Sequence, residues 1–95
     1  MKTIVVKIGG MVASNQNKKR KLLKQLVTLA RKNNVVLVHG GKEQINEFLT
    51  LFKIKTKFIK GQRYTNEKAL GWVAAALNKV NHELVAEINS LGGCA

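Results

Sequence analysis

Two short runs rich in β-branched residues, TIVVKI at 3–8 and VVLV at 35–38, are each followed closely by a Gly-Gly pair, and the second pair leads at once into a helix-like segment. Nothing else in the sequence constrains the fold as strongly. Near-continuous Val and Ile is the pattern of a strand buried on both faces, as in a parallel sheet. Between the runs, from about Asn17 to Asn33, Leu22, Leu26, Leu29 and Ala30 recur at helical spacing, with cations expected on the opposite face. Strand, amphipathic helix, strand makes a crossover unit, with parallel strands and a right-handed connection.

The pattern continues past the second corner. Ile45, Phe48, Leu49 and Phe52 mark one face of a helix. TKFIKGQRYT alternates polar and apolar residues around a glycine and reads as a short hairpin or an irregular extended pair. Thr65 or Asn66 is placed to cap a following helix whose inward residues are Ala69, Leu70, Val73, Leu77 and Val80. A separate last helix is expected at about 81–91, with Leu84, Val85, Ile88 and Leu91 inward and Gly92 and Gly93 stopping it. The reading is a small α/β layer on a parallel sheet.

Composition narrows the class. A chain of 95 residues supports one domain at most, burying roughly 60 to 65% of its unfolded surface. No apolar run approaches the roughly 20 residues of a membrane span, and the N-terminus lacks the pattern of a secretory signal, so the expected setting is cytoplasmic. Cys94 is the only cysteine, which leaves no intramolecular disulfide and no cysteine metal cluster. Seventeen Lys and Arg against five Asp and Glu give +12, which brings polyanions into view as partners. The run Lys18, Lys19, Arg20, Lys21, Lys24 fits either a solvated helix face or an anion-binding one. A small basic nucleic-acid-binding module is therefore an alternative reading. Against it stands the lack of exposed aromatics interleaved with basic residues and of a zinc, OB-type or helix-turn-helix signature.

The glycine corners carry the chemistry. In an open parallel sheet, ligands lie beyond the carboxyl ends of the strands, where Gly9, Gly10, Gly40 and Gly41 all fall. Glycine permits a sharp turn and the close approach of a ligand, and amides opening a helix after Gly41 favour carboxylate or phosphate. Each pair alone is equally well explained as a turn. Lys7 interrupts an apolar strand two residues before its corner. It reads either as a cation neutralising a transferring phosphoryl group or as a strand-end lysine reaching to water. In an extended GQRYT, Gly61, Arg63 and Thr65 share one side, and the Arg63 guanidinium can grip a carboxylate through two parallel hydrogen bonds. His39 reads as structural for want of an acidic partner or metal ligand nearby, and His82 likewise for want of a companion at metal-binding spacing.

Taken in order, VVKIGG, VLVHGG, INEF, GQRYTNEKAL and VNHELVAEINSLGG resemble the N-terminal part of the acetylglutamate kinases, within the amino acid kinase family. The likeness covers essentially the whole chain. A kinase acting on carrier-protein-linked aminoadipate in lysine biosynthesis shares these motifs, whereas aspartate, carbamate and uridylate kinases fit the arginine motif less well. The resemblance implies the N-terminal part of a three-layer α/β sandwich with a parallel sheet, of the amino acid kinase type. It implies ATP-dependent phosphorylation of the side-chain carboxylate of N-acetyl-L-glutamate in arginine biosynthesis, with Mg2+ carried by the nucleotide and no metal held by the protein itself. Lys7 would stabilise the transition state, Gly9 and Gly10 would approach the phosphates, and Gly40, Gly41 and Arg63 would bind the acylamino acid.

The same resemblance places the nucleotide-binding half beyond residue 95, leaving residues 1–95 as the amino-acid-substrate part, unable to complete catalysis alone. Its implied partners are further copies in a homo-oligomer or a complementing C-terminal half. One departure concerns the second corner. Where relatives continue HGG with a third Gly and a Pro, this chain has Lys42 and Glu43, which alters the shape and charge of the loop.

Overall fold

The computed structural model describes residues 1–54, 57–64 and 67–95, with the side chains of Met11, Lys57, Phe58, Arg63, Tyr64 and Lys68 outside the description. In chain order the elements are β1 (Thr3–Ile8), α1 (Gly10–Ala13), α2 (Gln16–Leu29), β2 (Asn34–His39), α3 (Lys42–Leu51), β3 (Lys57–Ile59), β4 (Gln62–Tyr64) and α4 (Glu67–Ser90). They form two compact units, one of residues 1–40 with 81–95 and one of residues 41–80. No helix among the described residues is long and apolar enough to cross a membrane.

The first unit is the expected crossover. β1 and β2 pair in parallel from Thr3 opposite Asn34 to Ile8 opposite His39. Between them α2 starts where the Asn15 side chain accepts a hydrogen bond from the Lys18 amide, satisfying one of the donors a helix start leaves unpaired. Its buried positions are Lys19, Leu23, Leu26 and Val27, a stripe rotated from the one the leucine spacing indicated. Lys19 is the exception to the expected solvated cationic face. Its ammonium lies 3.3 Å from Glu87 on α4, with both side chains largely buried. The pairing explains how a lysine is tolerated on the inner face, because a buried charge needs an opposite charge beside it.

The strands differ from expectation in one respect. They alternate rather than being covered on both sides. Ile4, Val6 and Ile8 with Val35, Leu37 and His39 face inward, towards the side on which residues of α2 and the C-terminal part of α4 line a cavity shared with β2. The other face stays open, with Val5 65%, Val36 48% and Val38 43% exposed. β-Branched residues read as fully buried from sequence because only tertiary cover distinguishes the two cases.

The second unit packs α3 against the N-terminal part of α4 around Ile45, Leu49, Ala69 and Ala76, with Phe48, Trp72, Val73 and Leu77 alongside. Phe52, expected on the apolar face of this helix, is its exposed C-cap, with its ring stacked on Trp72 at 3.8 Å between centroids. Beyond the cap, Lys53 adopts φ +55, and the Ile54 and Lys53 amides return to the Leu49 and Thr50 carbonyls. This is a Schellman closure with lysine where glycine is usual. The hairpin is present: β3 and β4 pair antiparallel, with Ile59 opposite Gln62. Lys60 and Gly61 have φ +51 and +79, the two left-handed positions of a type I′ turn. The proposed caps Thr65 and Asn66 lie outside the described residues.

Two further expectations are corrected by α4. The chain forms one continuous helix over Glu67–Ser90 in place of two, because no proline or closing glycine intervenes near Val80 and Asn81. Leu70 is 57% exposed, whereas the other expected positions hold, with Ala69 and Val80 buried and Val73 and Leu77 packed on the core, and Ala76 joins them. The predicted stop is correct. Gly92 at φ +92 and the Gly93 amide bonded to the Ile88 carbonyl close the helix. Leu23→Ala, at a fully buried site, is expected to cost about 3 kcal/mol and Leu70→Ala less than about 0.5 kcal/mol, as read by urea unfolding.

Candidate functional site

The parallel register determines where the corners lie. Since Ile8 stands opposite His39, Gly9 and Gly40 follow at neighbouring positions beyond the carboxyl ends of β1 and β2. Neighbouring strands run about 4.8 Å apart, so the two corners themselves lie about one strand spacing from each other. A methyl group added at Gly9, Gly10 or Gly40 would meet nothing within 4 Å; the backbone there borders open space. Gly9 is extended at φ −81 and ψ 163 and caps the short α1, whose first residue is Gly10.

Lys7 lies one strand position before Ile8, opposite Val38. Alternation puts it on the open face with Val5, and its side chain is exposed. The ammonium is therefore solvent-accessible, close to the corner, and on the side of the sheet away from α2.

Gly41 differs from its neighbour. It caps α3 at φ −174, an extended conformation open to any residue, but an added methyl would lie 2.9 Å from Leu77 Cδ2 and 3.7 Å from Val80 Cγ2. Packing within the second unit thus accounts for a glycine at position 41, while position 40 is free of that constraint. Glu43 occupies the first turn of α3, where a carboxylate complements the helix dipole. Arg63 lies in β4 opposite Phe58, and its side chain, like the whole of Thr65, is outside the described residues. Lys7, Gly9, Gly10 and Gly40 belong to the first unit; Gly41 and Arg63 belong to the second.

One pair of side chains escaped the sequence reading. His39 Nδ1 lies 2.9 Å from the Gly40 carbonyl oxygen, and its Nε2 lies 3.4 Å from Asn81 Nδ2. Both side chains line a cavity of about 240 Å³ whose other lining is largely apolar, including Leu26, Leu37, Leu84 and Ile88. Neither acidic nor a usual metal ligand, and 42 positions away in the chain, Asn81 carries no sequence signal that pairs it with His39. Only the fold joins them. His82 is exposed on α4, and among the described residues no group of three His, Cys, Asp or Glu is placed to hold a metal ion.

Comparison with known proteins decides the family. The model of the amino acid kinase family matches residues 2–93. The chain belongs to this family. Acetylglutamate kinase of Clostridioides difficile (strain 630) is 42% identical, with 99% of this chain aligned to 34% of that protein. Acetylglutamate kinase of Lactococcus lactis subsp. cremoris (strain SK11) is also 42% identical, covering 98% of this chain and 34% of the relative. This amino acid kinase chain thus spans about a third of the length of those curated relatives. Among solved structures, smu.665 from Streptococcus mutans UA159 superimposes with a TM-score of 0.75 at 27% identity, over 95% of this chain and 37% of that one. N-acetylglutamate synthase from Neisseria gonorrhoeae, solved with coenzyme A and N-acetyl-glutamate, shares the fold at a TM-score of 0.72 and 21% identity, over 94% of this chain and 21% of the other.

The two glycines of the second corner are separable by experiment. Gly9→Ala and Gly40→Ala are expected to change stability by less than about 1 kcal/mol. Gly41→Ala, which replaces a favourable cap and presses on Leu77, should cost about 1 to 2 kcal/mol; thermal unfolding of the three variants checks the contrast.

Proposed function

We propose that this amino acid kinase chain is the acylamino-acid-binding part of a phosphotransferase that moves the γ-phosphoryl group of ATP to the side-chain carboxylate of N-acetyl-L-glutamate. The observation that carries the reading is the placement of Gly9 and Gly40 side by side beyond parallel strands, with Lys7 two residues before the first corner. Acetylglutamate kinases among the relatives supply the substrate class and favour an acetylated glutamate over a carrier-linked aminoadipate. Under this reading the reaction belongs to arginine biosynthesis and a cytoplasmic setting.

The chemistry follows from charge and distance. A carboxylate oxygen attacks the γ-phosphorus, the bond from that phosphorus to the β–γ bridging oxygen breaks, and its electron pair leaves with ADP. The product is an acyl phosphate. Donor and acceptor are both anionic, so the main task of the protein is to hold them together and neutralise the charge between them. Gly9 and Gly10 border open space, which leaves room for phosphate against the backbone, and the exposed Lys7 supplies a cation beside it. Mg2+ accompanying the nucleotide adds charge neutralisation at the phosphates. Gly40 and Gly41 receive the acylamino acid at the adjacent strand end, and the Arg63 fork holds its remaining carboxylate. Groups gripping the rest of the nucleotide are assigned to polypeptide outside these 95 residues, in a complementing half or a homo-oligomer containing it.

Titration of N-acetyl-L-glutamate into the folded 95-residue chain tests the binding role. Saturable binding is expected, weakened at least about tenfold by Arg63→Ala through loss of a bidentate charge-assisted contact. Absence of any binding by a folded wild-type sample contradicts the proposal. Once the chain is complemented for phosphoryl transfer, Lys7→Met should lower kcat by about 10² to 10³ with little change in KM.

A further inference from the structure

We propose that Asn81 is a positioning residue for the proposed acceptor corner, acting through His39 on the peptide that joins Gly40 to Gly41. This inference rests on the functional reading above for its consequence; the two contacts it is argued from, His39 with Gly40 and Asn81 with His39, both lie within the first unit.

The Gly40 carbonyl oxygen can only accept a hydrogen bond. His39 Nδ1, 2.9 Å away, must therefore be the nitrogen that carries the proton. In a neutral ring Nε2 then holds the lone pair, and it is Nε2 that faces Asn81 Nδ2 at 3.4 Å. An amide N–H donating to that lone pair favours this tautomer and opposes the other, in which two donors would confront each other. The result is a directed chain: Asn81 donates to His39, and His39 donates to Gly40. Gly40 has no side chain to restrain it and borders open space, so the hydrogen bond to its carbonyl replaces the steric restraint that a Cβ would give. A trans peptide is planar, with its carbonyl and N–H pointing oppositely. Fixing the Gly40 carbonyl relative to β2 thus fixes the direction of the Gly41 N–H, one of the amides through which the corner would receive a carboxylate.

The chain runs through groups that burial alone does not hold. Asn81 is exposed and His39 only half-buried, so the contacts themselves must provide the orientation. Sequence distance makes the coupling specific, since the final stretch of α4 is where the 42-residue separation is closed.

Two readouts on the 95-residue chain test the proposal. Long-range 15N–1H spectra of the imidazoles report the His39 tautomer, and the Gly41 amide resonance reports the peptide orientation. Wild-type protein should show the Nδ1–H form, and Asn81→Ala should return His39 to a mixture and shift the Gly41 amide. An Nε2–H ring in the wild type, or an unmoved tautomer and amide in the variant, overturns the inference. The second readout is N-acetyl-L-glutamate affinity, expected to fall about fivefold in Asn81→Ala. His39→Asn, which keeps a donor near the Nδ1 position, should retain more affinity than His39→Gln, which keeps one near Nε2. Equal loss in both marks a merely structural histidine and also overturns the proposal. If wild type binds no N-acetyl-L-glutamate while the tautomer and amide respond to Asn81→Ala, the functional reading fails and the positioning chain survives.

Discussion

Parallel pairing of β1 with β2 is the constraint from which the rest of the first unit follows. Two parallel strands cannot be joined by a tight turn, so the chain must spend residues on a crossover, and α2 supplies it. The same pairing makes both strands end at one edge, which sets the two glycine corners next to each other. A one-residue slip would turn Lys7 inward and Ile8 outward. The inner row Ile8, Leu37 and Val35, together with Leu23 and Leu26, opposes that slip.

The Lys19–Glu87 pair shows how the helices over this sheet are fixed in register. Apolar contacts are tolerant of small rotations, whereas a largely buried ion pair at 3.3 Å is not. α2 contributes the lysine from the middle of a basic run, and α4 contributes one of the chain's few carboxylates. Near the same end of α4, Asn81 reaches His39. Two polar contacts therefore tie the C-terminal stretch of α4 to the crossover, one through α2 and one through β2.

What was legible in the sequence is what depends on local chemistry. The strand runs, the helical spacing after Asn15, the hairpin around Gly61 and the closing role of Gly92 are each set by residues within a few positions of one another. Errors arose where a distant neighbour decides. Val5, Val36 and Val38 read as buried because β-branching reports strand preference and not cover. Leu70 read as core and Ala76 did not, although Ala76 fills the interface with Ala69 and Leu70 is exposed, since a small residue signals close helix approach only once its partner is known. Lys19 read as part of an outward cationic face, solvated or anion-binding, because Glu87 lies far away in the chain. At the candidate site, Lys7 was visible as a charge within an apolar strand and the glycines as pairs just past strand ends, and Asn81 was invisible for the same reason as Glu87.

The open face of the β1–β2 sheet has a colloidal consequence. A strip of valines on a short parallel pair is adhesive towards other copies of itself, yet each copy carries +12 and repels its neighbours at long range. Repulsion of that kind is confined to about 8 Å at physiological ionic strength and about 3 Å in 1 M salt. Dilute buffer should therefore keep the molecules dispersed, and concentrated salt should let the valine strips meet.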